Sequence, residues 1–81
     1  MDKIKYVRLS PYDSFIIFPA IINHSDFANL PIISAGFCRI YNKRVECYGK
    51  SISLKLSSRK EDTKLATKQV FGLDAMLELE D

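Results

Sequence analysis

This 81-residue chain contains one histidine, two cysteines and three glycines, and each scarcity closes a route to chemistry. It has no C-x-x-C pair, and only His24 and Asp26 are obvious additions to Cys38 and Cys47, so spacing does not assemble the four ligands of a structural zinc site. Three scattered glycines make no phosphate-cradling loop, and no group of carboxylates offers a hard metal its oxygens. His24, Ser25 and Asp26 name the side chains of a hydrolase triad, but triad members must converge, and neighbours at a helix start diverge by about 100° per residue. Helix capping accounts for Ser25 and Asp26, and His24 is expected as a polar residue at that start rather than a general base. The expectation is a non-enzyme with no catalytic residue, no metal site and no cofactor.

Long hydrophobic runs are missing too. "FIIFPAII" (15–22) follows Lys3, Lys5 and Arg8 as a signal core would, but Pro11 and Asp13 interrupt its approach. "NHSDF" then stands where small residues should mark a cleavage site. The run is far short of the roughly 20 residues with which a helix crosses a bilayer. It is expected as a buried strand of a soluble, cytoplasmic protein without a membrane partner.

What remains is an ordinary globular composition, with 47% hydrophobic residues and only six glycines and prolines together. So short a chain forms one core, hence one domain over 1–81. Such a core leaves a margin of roughly 3–5 kcal/mol, which makes self-association a natural source of further stability.

Net charge is +2, unevenly spread. Residues 1–38 are neutral, 39–68 carry nine bases against three acids, and 69–81 carry four acids and no base. The basic set that faces a partner comprises Arg39, Lys43, Arg44, Arg59, Lys60, Lys64 and Lys68, with Phe37, Tyr41 and Tyr48 among them. Bases and aromatics on a sheet face are one way to hold single strands, so nucleic-acid binding is the alternative function. No G-F-G-F-like motif accompanies them, and most such charges simply solvate a surface.

Along the chain, "KIKYVRL" (3–9) and "FIIF" (15–18) are rich in β-formers and flank "SPYDS", which supplies turn chemistry; Pro19 stops the second strand. "INHSDFANLP" follows as a short helix, with Asn23 as N-cap, Asp26 in a capping-box position, Ile22 and Phe27 as a hydrophobic staple, and Pro31 as the stop. "GFCRIYNKRVECYG" (36–49) is nearly palindromic, as a hairpin with a two-residue turn at Asn42-Lys43 or a four-residue loop at 41–44 would be. Ile40 then faces Val45, Arg39 faces Glu46, Cys38 faces Cys47 and Phe37 faces Tyr48, each pair favourable or neutral. Farther out, Gly36 meets Gly49, Ser34 meets Ser51 and Ile33 meets Ile52. At the glycines the buried side switches, so a sharp coil, a bulge or a close backbone crossing is expected there. The thiols are expected as free, small hydrophobes facing the core, although their cross-strand placement also permits a disulfide.

Ser58 and Glu61 form an S-x-x-E capping box for a longer helix, Leu65, Ala66, Val70, Leu73 and Leu77 make one apolar stripe, and Gly72 is a C-cap. The segment 73–81 continues as helix, docks in an extended form or frays. The order is β-β-α-β-β-α, an α+β domain in which a twisted, mostly antiparallel sheet carries the longer helix on one face. Leu73, Met76, Leu77 and Leu79 are left over as an interface for another copy, or else close the chain's own core. The leading function is a protein-interaction or structural module that forms a homodimer.

"FIIFPAIINHSDFA", "SAGFCRI", "VECYGKSISL" and "SSRKEDTKL" resemble a group of small uncharacterised bacterial proteins. The resemblance covers most of the chain and implies a stand-alone single domain. It brings no activity with it.

Overall fold

Alternation dictates the centre of the molecule. Strand β1 (Ile4–Leu9) places Ile4, Tyr6 and Arg8 on one side and Lys5, Val7 and Leu9 on the other, and none of the six is exposed. A strand covered on both faces must be central, and the sheet order is β2-β1-β3-β4 with every neighbouring pair antiparallel. The structure is a computed structural model that describes residues 3–79.

Strand β2 (Ser14–Pro19) returns beside β1 through the Ser10–Asp13 turn, which has a cis Ser10–Pro11 bond and a positive φ at Asp13. Pro19 closes β2 at the sheet edge, where its missing N–H costs no ladder bond. A 3₁₀ turn (His24–Phe27) follows where a short helix was expected. Asn23 holds the N-cap position, but its side chain makes no capping bond. Ile22 and Phe27 still pack together against Val7, Phe18 and Ala35, so burial rather than capping orders the segment.

Strand β3 (Ile32–Tyr41) and β4 (Arg44–Tyr48) form the hairpin that the palindrome encodes, in the expected register from Tyr41–Arg44 to Phe37–Tyr48. Asn42 and Lys43 both take positive φ, 48° and 57°, as the primed turn of a two-residue hairpin requires. The glycines do what their spacing implied. A Cβ on Gly36 would lie 2.5 Å from the Tyr48 carbonyl oxygen, and Gly49 has φ +77°. Backbone therefore crosses closely at Gly36, and the strand breaks at Gly49.

Beyond that break the structure departs from the expected pairing. Residues 50–51 leave the main sheet as β5 (Lys50–Ser51) and pair with β6 (Leu56–Ser57) in a separate small ribbon. Ser51 and Ile52 thus do not continue the β3–β4 pairing to Ser34 and Ile33, and Ile52 is 81% exposed. The left-handed Gly49 turns the chain away, and Leu54 and Leu56 fold onto the second face of the sheet instead.

Two apolar layers result. Tyr6, Phe15, Cys38 and Val45 pack against Leu65 and Ala66 of α1 (Asp62–Phe71). On the opposite face, Val7, Phe18 and Ala35 are covered by the 3₁₀ turn and the β5–β6 ribbon. The chain is α+β, with an antiparallel sheet carrying its longer helix on one face, as expected.

The helix does not begin where the S-x-x-E pattern put it. Asp62, not Glu61, accepts the backbone N–H three residues earlier, from Arg59 at 3.0 Å, while the Ser58 amide donates to Gly49. The helix starts at Asp62 with Glu61 at the N-cap position and no side-chain capping bond, the Glu61 carboxylate being held by Arg8 instead. The inward face of α1 is also more polar than a leucine stripe. Thr67 is buried, accepts the Val45 N–H at 2.9 Å and reaches back toward the Val45 carbonyl. Thr63, one turn earlier, accepts the Cys47 N–H at 3.0 Å. Gln69 brackets Phe15 of the other edge strand, accepting its N–H at 2.7 Å and donating to its carbonyl at 2.9 Å. One helix thereby satisfies outward-facing backbone groups on both edges of the sheet.

After Gly72, with φ 101°, the short helix α2 (Leu73–Leu77) follows. Val70, Leu73 and Leu77 of the expected stripe are exposed, and only Ala75 of α2 is buried. Of the segment 73–81, Glu80 and Asp81 lie outside the described residues. Among the described residues no helix is long and apolar enough to cross a membrane.

Candidate functional site

The residues that first suggest chemistry are committed to the fold. Cys38 and Cys47 face each other across β3 and β4 as free thiols. Burial pushes the Cys38 thiol up to about 11 and moves Cys47 in the same direction, so both are protonated, poor nucleophiles at neutral pH. His24 is buried, its Nε2–H donating to the Gly36 carbonyl at 2.8 Å, with its ring edge-on to Phe18 and Phe37. It holds the 3₁₀ turn against the close crossing at Gly36. Among the described residues no three His, Cys, Asp or Glu side chains gather as an ion site would require.

A polar cluster that sequence reading missed lies between β1 and the start of α1. Arg8 is buried and binds three carboxylates: Asp13 at 2.8 Å, Glu61 at 2.9 Å and Asp62 at 2.8 Å. Asp62 is fully buried and also accepts the Tyr6 hydroxyl at 2.5 Å. Burial works against the charge of Arg8, but its hydrogen bonds to Glu61, Asp13 and Asp62 outweigh that and hold it above the ordinary arginine value. The Arg8 hydrogen bond in turn holds the Glu61 carboxyl below the usual range. Burial, and then the bond to Asp62, raise the Tyr6 phenol far above its usual value. The signal in the sequence was an arginine at the core-facing period of β1, since an inward guanidinium must meet a buried acid.

The expected basic residues separate into two groups. Arg39, Arg44, Lys60 and Lys64 line one open groove of about 830 Å³ between the outer strand β4 and the start of α1. Lys43 sits in the hairpin turn, Arg59 precedes the helix and Lys68 lies near its end; all three are exposed and outside the groove. Glu46, Cys47, Tyr48, Glu61 and Thr63 complete its walls, with Leu79 at the tail.

Among the described residues, the two acids of the groove are already matched. Glu46 holds Arg39 at 2.9 Å, and Glu61 holds Arg8. Arg44 reaches Glu46 only at 3.6 Å, and its Nε is buried with no hydrogen-bond partner among the described residues. Tyr48 stacks on Phe37, centroids 6.0 Å apart, and carries the Arg39 guanidinium 5.1 Å from its ring centre. The arrangement offers four cations along one groove and a ring already covered by its neighbours.

The expected interface residues divide as well. Leu73 and Leu77 are 52% and 64% exposed, beside the exposed Val70 and Phe71 of α1, whereas Met76 and Leu79 are half-buried. Compared with protein-family models, curated proteins and solved structures, the chain matches none.

Proposed function

We propose that the chain is a small, non-enzymatic protein-interaction module that works as a homodimer in a reducing, cytoplasmic setting. The observation that carries this reading is the group Val70, Phe71, Leu73 and Leu77, four large apolar side chains exposed where α1 meets α2. An exposed apolar group with a polar border is the usual mark of an interface. Its border contains both signs, exposed Lys68 against exposed Asp74 and Glu78, as a self-complementary two-fold contact needs. A thin core gives such a contact a thermodynamic motive. Two opposed thiols left unjoined fit a reducing compartment.

Nucleic-acid binding, the second reading of the charge pattern, draws support from four cations sharing one groove and loses support from three that stand apart.

Sedimentation equilibrium tests the leading reading. A dimer is expected at micromolar concentrations, and replacing both Leu73 and Leu77 by Glu should give a monomer with unchanged circular dichroism. A wild-type chain that stays monomeric throughout, or a double variant that still dimerises, overturns it.

A further inference from the structure

The groove beside β4 points to a second role, independent of self-association. We infer that it is a binding site for a ligand carrying two or more adjacent phosphate groups. Five observations converge. The cations arrive from two walls, Arg39 and Arg44 from the β3–β4 hairpin and Lys60 and Lys64 from the start of α1. An extended run of phosphates is met by charge from both sides there. The groove also contains the first turn of a ten-residue helix through Glu61, Thr63 and Lys64, so the positive end of the helix dipole adds to the field.

Among the described residues the lining carries four bases against two acids, and Glu61 is held by Arg8 from outside it, so an excess of positive charge remains. Arg44 supplies the fourth observation. Its side chain is 41% exposed and reaches Glu46 only at 3.6 Å, and its Nε has no acceptor among the described residues, so an anion in the groove gives the side chain a reason to reorient and pair bidentately. The volume of about 830 Å³ falls within the range of roughly 300–1,000 Å³ typical of small-ligand sites.

The same geometry says how the ligand is read. Phe37 and Arg39 already lie against Tyr48, so the ring is committed within the fold. Recognition rests on phosphate charge, and a nucleotide base contributes little. A free polyphosphate and the backbone of a single-stranded oligonucleotide share this chemistry.

The test is a pair of titrations of the full chain at about 50 mM salt, one with tripolyphosphate by calorimetry and one with a fluorescent oligothymidylate by anisotropy. Saturable tripolyphosphate binding is expected, weakening steeply as salt rises. Arg44→Glu and Lys60→Glu should each weaken it by about tenfold to a hundredfold, as loss of a charge-assisted hydrogen bond does. Lys50→Glu, an equal charge change at an exposed site outside the groove, should leave it within about twofold. Thermal melting of each variant checks that the fold persists. If the oligonucleotide also binds and tripolyphosphate displaces it, the nucleic-acid backbone is the source; if tripolyphosphate binds alone, the source is a small polyphosphate. Absence of saturable tripolyphosphate binding, an equal loss in Lys50→Glu, or oligonucleotide binding that tripolyphosphate does not displace overturns the assignment. Because Leu73 and Leu77 lie outside the groove, their Glu variants should bind tripolyphosphate normally whether or not the chain dimerises.

Discussion

Arg8 and Asp62 meet at 2.8 Å although 54 residues separate them in the chain. The pair ties the central strand to the start of the helix, and Tyr6 joins it from the same face of β1. Ser34, opposite Arg8 in the sheet, is buried with its hydroxyl unpartnered among the described residues, so it takes no part in holding the guanidinium.

Asp62→Ala should therefore be severe. It leaves the Arg8 guanidinium short of one acceptor and the Tyr6 hydroxyl buried without any, a loss of about 3–5 kcal/mol. That equals the whole margin of a small domain, so the variant should be largely unfolded at room temperature. The double variant Arg8→Met, Asp62→Leu should lose less than Asp62→Ala alone, since it removes the buried guanidinium that Asp62→Ala leaves with Asp13 and Glu61 only, although the Tyr6 hydroxyl stays unpaired in both. Urea denaturation in the cold compares them. An Asp62→Ala variant within about 1 kcal/mol of wild type contradicts this account.

The threonines of α1 give a residue-level test. Val45 and Cys47 lie in an outer strand, where amides ordinarily exchange quickly, yet each donates to a threonine hydroxyl. Both amides should exchange slowly. Thr67→Val should release the Val45 amide and destabilise the fold by about 1–3 kcal/mol, the cost of a buried unsatisfied donor. Thr63→Val should do the same to Cys47 with a smaller penalty, because that site is only partly buried. Hydrogen exchange by NMR measures both, and unchanged protection at residue 45 in Thr67→Val would show that the hydroxyl is not the partner that matters.

The thiols set an alkaline limit. Burial raises Cys38 to about 11 and raises Cys47 as well, whereas an unfolded thiol titrates near 8.5. Between these values the native state binds more protons than the unfolded one, so stability must fall as pH rises. The contribution is complete below about pH 8.5 and disappears as pH approaches about 11. Replacing both cysteines by Ala should flatten the alkaline limb of a stability–pH curve, at the expense of some packing. Labelling of Cys38 by a thiol reagent at pH 7.5 should be slow in the folded chain and fast in urea, and rapid labelling of Cys38 without denaturant argues against its burial.

Some of this molecule was legible in its residues. The β3–β4 register followed from pairing preference alone, because every local pair from Phe37–Tyr48 to Ile40–Val45 favours it and the turn needs two left-handed residues that Asn42 and Lys43 supply. Gly36 and Gly49 marked the close crossing for a similarly local reason. The groove was half legible. A basic segment was evident, but which of its seven chosen cations would converge depended on how α1 lies against β4. The start of α1 was misplaced by capping-box logic because Arg8, far away in sequence, competes for Glu61.

By itself, then, the sequence determined what short-range forces decide: the β3–β4 hairpin and its register out to Phe37–Tyr48, the breaking glycines and the α+β class. Tertiary structure alone decided which polar groups are buried together. It selected the acids that hold Arg8, the helix hydroxyls that serve edge-strand amides, and the cations that share a groove. The reason is physical. Local pairing is settled by neighbours at fixed spacing, whereas a buried donor accepts any suitably placed acceptor, and only the packed fold determines which one is within about 3 Å.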